Sequence, residues 1–96
     1  LDDKSMNVIN MVAEKLKSEE EYSIILNGYA DRMGAEDYNL KLSKRRAMAV
    51  KKALVAAGLD ADSIMVFAFG EFEGRLATKD GISSRENRLV EIVIER

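Results

Sequence analysis

The chain has 96 residues, 15 of them Lys or Arg and 17 Asp or Glu, for a net charge of −2. That length supports one domain with one core, and an apolar fraction of 47% with 33% charged residues describes a folded globular chain, not a disordered one. The slight acid excess argues against a general nucleic-acid binder. With no His and no Cys, zinc fingers, disulfide frameworks and Ser–His or Cys nucleophile systems are excluded, so chemistry falls to carboxylates, Arg, Lys, Tyr, Ser, Thr and backbone.

The chain starts at Leu1, close to a helix and without Met, and is expected to be a segment of a longer protein. Residues 5–18 read as a helix, because Ile9, Val12, Ala13 and Leu16 recur at i, i+3, i+4 and i+7 and make one apolar face. Asp2, Asp3 and Ser5 are its N-cap candidates. Residues 22–27 read as a short strand, and the uninterrupted Ile24-Ile25-Leu26 predicts that both of its faces are covered. Gly28 and Gly34 punctuate a loop over 28–37.

The longest helix signal covers 39–57, with Ser43, Ala47, Val50, Leu54 and Ala57 at the 3, 4 spacing and Gly58 as its C′ residue. A turn over 60–63 leads to an apolar strand at 64–69, in which Phe67 and Phe69 are expected in the core, as is Phe72 in the loop beyond it. The stretch 70–86 is polar, carries Gly70, Gly74 and Gly81, and is long for a plain connection. Residues 89–95 alternate, with Val90, Ile92 and Ile94 on one side and Glu91 and Glu95 on the other, as in a half-buried strand. A strand, helix and strand of these lengths make a right-handed crossover with parallel strands, and the last strand returns antiparallel. The expected fold class is α+β: a two-layer sandwich with a mixed sheet and both helices on one face.

One arginine stands apart. With Ala47 as the origin and about 100° per residue, Lys41, Lys44, Arg45, Lys51 and Lys52 share one solvated side of the long helix, whereas Arg46 lies at about −100°, beside Asn39, Val50 and Ala53. A guanidinium flanking an apolar stripe is partly desolvated and needs a carboxylate or a bound anion. Asp31, just past the first strand, is the protein partner at hand, in the loop position where open α/β sheets place ligands. Spacing alone leaves two readings open, a structural Asp31–Arg46 ion pair and a ligand site, and favours the first.

The string Gly28-Tyr29-Ala30-Asp31, Gly34, then Tyr38-Asn39-Leu40-Lys41-Leu42-Ser43-Lys44-Arg45-Arg46-Ala47-Met48-Ala49-Val50 resembles the hallmark of the OmpA-like peptidoglycan-binding domain, the C-terminal domain type of OmpA, MotB and Pal. Leu54, Gly58-Leu59, Gly70-Glu71 and Asn87-Arg88-Leu89-Val90-Glu91-Ile92 follow the same family pattern in order and spacing, so the resemblance covers nearly all of 1–96. It departs from the pattern in having Tyr29 where His is usual, Leu89 where a second Arg is common, and no proline after Gly70-Glu71. The family also opens with a strand before the first helix, and no such strand is expected in this segment.

The resemblance implies a non-enzymatic, cofactor-free domain of the periplasm that binds peptidoglycan through the diaminopimelate of the stem peptide. It would anchor a parent envelope protein tethered to the outer membrane, with no nucleic-acid partner and membrane contact only through that parent. By the same resemblance Asp31 takes the diaminopimelate ammonium, Arg46 its carboxylate, and Asn39 orders the pocket. Ala30, Tyr38 and Leu42 complete the expected ligand-binding set, with Tyr38 equally placed to stack on ligand or to pack beneath the loop, and Arg88 adds positive potential or contacts wall material. Against this stands a small βαβ ligand-sensing or protein-interaction module in which Asp31–Arg46 is only structural. A carboxylate enzyme is disfavoured by the lack of His, Cys and metal motifs; Glu71/Glu73 and Asp60/Asp62 have neither EF-hand spacing nor a partner set. Tyr22 is expected in the sheet or core, and the Met residues as gap-fillers.

Overall fold

The computed structural model describes residues 3–30, 36–71 and 90–96, together with the backbone course of helix α1 (Asp3–Leu16), strand β1 (Ser23–Ala30), helix α2 (Glu36–Ala56), a 3-10 turn (Ala61–Ser63), and strands β2 (Ile64–Glu71) and β3 (Val90–Glu95). The sheet order is β2-β1-β3. β1 runs parallel to β2, with Ile24 opposite Ile64 and Gly28 opposite Ala68, and antiparallel to β3, with Ile24 opposite Ile94 and Gly28 opposite Val90. This is the mixed-sheet α+β architecture that the element order requires.

The registers sort the side chains onto two faces, since alternate strand residues point to opposite sides. Ile24, Leu26, Ile64, Val90 and Ile92 are buried on one face, in a single core with Ile9, Ala13 and Leu16 of α1 and Ala47, Val50 and Leu54 of α2. The periodicity read from the sequence is thus the stripe each helix turns to the sheet. Among the described residues nothing covers the other face: Met65, Phe67 and Phe69 are all exposed, and Ile25 is only half-buried. This corrects two expectations, that β1 is sheltered on both faces and that Phe67 and Phe69 belong to the core. An apolar run does not report how many layers lie against it.

The C-terminal end of α2 has an identifiable cause. Gly58 adopts a φ of +112°, where a side chain would be strained. Its N–H donates to the Val55 carbonyl, and the Leu59 N–H donates to the Leu54 carbonyl, which closes the helix in a Schellman motif. Buried Leu59 and Leu54 complete that cap. The chain then turns through Asp60, whose side chain accepts from the Asp62 N–H at 3.1 Å. The Tyr22 hydroxyl accepts from the Asp60 N–H at 3.1 Å, which joins the start of β1 to the start of β2. Tyr22 is half-buried against the core, as expected of it. The methionines differ from expectation: Met6 packs on the core, but Met11, Met48 and Met65 are exposed.

Candidate functional site

Parallel β1 and β2 end at the same edge of the sheet, and antiparallel β3 begins there. Ala30 pairs with Glu71, and Gly28 with Val90. α2 starts at this edge and runs back across the sheet. The segments that carry Asp31 and Arg88 attach at this edge, and both residues lie outside the described ones, as does Phe72.

Gly28 sets how close α2 comes. A Cβ built on it would lie 2.3 Å from the Ser43 carbonyl oxygen and 3.0 Å from the Ala47 Cβ. The first half of α2 therefore rests directly on the backbone of β1, which only glycine permits. The sequence reading placed Gly28 in a loop; it stands inside β1, which continues through Tyr29 to Ala30. Its role is close approach, not a turn. Ser43 is fully buried at this contact, and its Oγ donates to the Leu40 carbonyl at 2.8 Å, so the hydroxyl is satisfied within its own helix.

From that contact the site residues of α2 follow by helical geometry. Asn39, Leu42, Ser43 and Arg46 stand at i, i+3, i+4 and i+7, along one side of the helix. Asn39 is 2% exposed, Leu42 and Arg46 are half-buried, and Val50 is buried beyond them. Lys41, Lys44, Arg45 and Lys52 are exposed, as the wheel predicts. Lys51 differs: it is half-buried, because it borders the buried stripe on the opposite flank from Arg46. Arg46 thus stands at the border of the buried stripe, about 15 Å along α2 from its start at Glu36 at ~1.5 Å per residue.

Tyr38 is 52% exposed at the start of α2, and Ala30 closes β1. Among the described residues no carboxylate is paired with Arg46. The ion pair found there joins Arg96 to Glu19 at 3.3 Å, at the far end of the sheet, where β1 begins and β3 ends. Among the described residues no group of His, Cys, Asp and Glu is arranged to hold a metal ion, and no helix is long and apolar enough to cross a membrane. The structure therefore assembles Asn39, Leu42 and Arg46 on one flank of α2, with Tyr38 at its start and Ala30 at the adjoining strand end. Sequence reasoning missed Gly28 and Ser43 as the contact that positions this flank. The available signal was a glycine inside an otherwise β-rich run.

Comparison with known proteins bears on this arrangement. The model of the OmpA family matches residues 1–88. The chain is 36% identical over 87 residues to the peptidoglycan-binding protein ArfA of Mycobacterium tuberculosis, in an alignment covering 91% of this chain and 27% of that protein. It is 32% identical over 92 residues to the peptidoglycan-associated lipoprotein of Legionella pneumophila, covering 96% of this chain and 52% of the relative. The chain thus spans well under two thirds of either curated relative. The crystal structure of the peptidoglycan-associated lipoprotein from Burkholderia pseudomallei superimposes with a TM-score of 0.80 at 27% identity, covering 99% of this chain and 80% of that one. The C-terminal domain of Helicobacter pylori MotB matches with a TM-score of 0.74 at 21% identity, covering 100% and 75%, a likeness of fold alone.

Proposed function

The chain belongs to the OmpA family, and from that premise we propose that it binds peptidoglycan non-covalently, through the diaminopimelate of the stem peptide, and holds a parent envelope protein to the cell wall. The observation that carries this reading is the position of Arg46: half-buried, two helical turns from buried Asn39, and apart from the exposed cations of the same helix. Relatives named for peptidoglycan binding and association align over nearly the whole chain, which supports the same conclusion.

The chemistry suits the ligand. Diaminopimelate ends in a carbon that bears both an ammonium and a carboxylate. Arg46 takes the carboxylate through the planar two-point fork of a guanidinium, which lysine lacks. Asp31 takes the ammonium, and Asn39 holds the pocket in order. Ala30, Tyr38 and Leu42 line the approach, with Arg88 adding positive potential. Each charge-assisted hydrogen bond contributes about 1.5–3 kcal/mol net. A lysine-type stem peptide lacks the second carboxylate and would leave the guanidinium desolvated and unpaired, so discrimination includes a penalty as well as a gain. Residues 1–96 act in this reading as a binding unit of the periplasm that turns nothing over, tethered to the outer membrane through its parent.

Retention on purified sacculi tests the reading. Arg46→Lys keeps the charge but loses the fork, and is expected to weaken retention by about tenfold, the effect of one such bond. Asp31→Ala should abolish retention with an unchanged circular-dichroism spectrum. Soluble meso-diaminopimelate should compete, and lysine much less. Equal retention of parent and Arg46→Lys would overturn the fork, and unfolding of Asp31→Ala would make Asp31 a structural residue.

A further inference from the structure

The open face of the sheet is apolar and acidic at once. Phe67 is 43% exposed, Phe69 54% and Met65 52%, all on the side of β2 turned away from the helices. The Tyr29 ring stacks on Phe69, with centroids 5.2 Å apart and planes 20° from parallel. Phe67 pairs in register with Asn27, and Asn27 with Glu91, so β3 brings Glu91 and then Glu95 to the same face. The Asn27 amide donates to the Glu91 carboxylate at 2.9 Å. Among the described residues, no Lys or Arg stands at a register position on this face; the cations Lys41, Lys44, Arg45 and Lys52 lie exposed on α2, across the molecule.

We propose that this face docks a basic amphipathic helix of a partner protein, whose apolar stripe lies on Phe67, Phe69 and Met65 and whose Lys and Arg side chains meet Glu91 and Glu95. Charge complementarity selects the occupant. A second copy laid face to face brings no Lys or Arg from a register position of its own open face, so Glu91 and Glu95 would gain no opposite charge there. A glycan needs polar groups to satisfy its hydroxyls, and here Asn27 and Glu91 already bond to each other. A cationic helix uses both features, since Lys and Arg are attracted to carboxylates and to aromatic faces alike. The dimensions agree. Eight-residue β1 and β2 run about 26 Å at ~3.3 Å per residue, and three strands at ~4.8 Å spacing span about 10 Å between outer axes, the length and width of one helix of about 17 residues. A helix there repeats on the open side the layer that α2 forms on the other. This inference goes beyond the wall-binding reading, because it uses neither Asp31 nor Arg46.

The test titrates the chain with an 18-residue synthetic amphipathic helix of Leu and Lys, and with its Leu and Glu counterpart, while sacculus retention is measured in parallel. The basic peptide is expected to shift the NMR signals of Ile25, Tyr29, Met65, Phe67 and Val93 saturably, and the acidic one to leave them in place. Glu95→Lys, at an exposed strand end, should weaken the peptide about fivefold, as expected for a semi-exposed charge contact, and leave sacculus retention unchanged. Phe67→Ser with Phe69→Ser should abolish peptide binding; if that double variant does not fold, Glu95→Lys and Met65→Lys carry the test. Equal shifts with both peptides, or shifts confined to α2, would overturn the proposal. So would loss of sacculus retention in the folded Phe67→Ser, Phe69→Ser variant, which would make the face a glycan platform, or concentration-dependent dimerisation that the variant abolishes.

Discussion

The two faces of the sheet are built from the same kinds of residue and live in opposite environments. On the helix side, Ile24 and Leu26 are fully buried. One residue along the same strand, Ile25 is half-buried, and on the neighbouring strand Met65 is exposed. The side-chain period of a strand is two, so a shift of one residue separates core from surface. The comparison teaches that apolar character in these strands records what could be covered, while the packing of α1 and α2 decides what is covered. The surplus apolar surface on the open side, joined to Glu91 and Glu95, is the reason for assigning that side a partner.

Substitutions on the two faces should part sharply. Leu26→Ala empties a fully buried site between the sheet and the helices, and should destabilise the fold by about 3–4 kcal/mol in urea unfolding. Gly28→Ala forces a methyl group against the Ser43 carbonyl. Backbone cannot swing aside as a side chain does, so α2 must lift from β1, at about 2 kcal/mol. Because α2 carries Arg46 and Asn39, this variant should also lose sacculus retention beyond what its stability loss explains, measured at a temperature where it remains folded. Met65→Ser, on the open face, should change stability by less than ~0.5 kcal/mol. A large loss there would show that the open face is sealed in the isolated chain, and would erase the distinction between the two sides.

Much of the fold is legible along the chain because it rests on local periodicity and punctuation. The stripe of α2 from Ala47 to Leu54 repeats at helical spacing, and Gly58 ends it with the positive φ that few other residues tolerate. The alternation of Val90, Glu91, Ile92 in β3 is a period-two signal, and it correctly assigns Glu91 away from the core. The ends of β1 were less legible. Gly28 looks like a turn residue, and nothing local distinguishes a glycine needed for a turn from one needed because a helix backbone crosses at van der Waals range. The open face was not legible at all, since Met65, Phe67 and Phe69 read as core and are exposed.

At the site the same division holds. The helical wheel alone separates Arg46 from the other cations of α2, because angular position on a helix depends only on residue number. Arg46 and Lys51 are both half-buried, on opposite flanks of the buried stripe, so it is the flank shared with buried Asn39 that sets Arg46 apart. Which elements stand around that flank is a matter of tertiary structure: it requires β1 and β2 to be parallel, β3 to return between Gly28 and the start of β1, and α2 to settle on Gly28.

The sequence by itself determined the helices, the strands, the cap at Gly58 and the angular isolation of Arg46, since each follows from interactions within a few residues. Only the tertiary structure decided that one sheet face is covered and the other open, and how closely α2 approaches β1. Those outcomes depend on contacts between segments far apart in the chain, and burial is a property of such contacts, not of the residues alone.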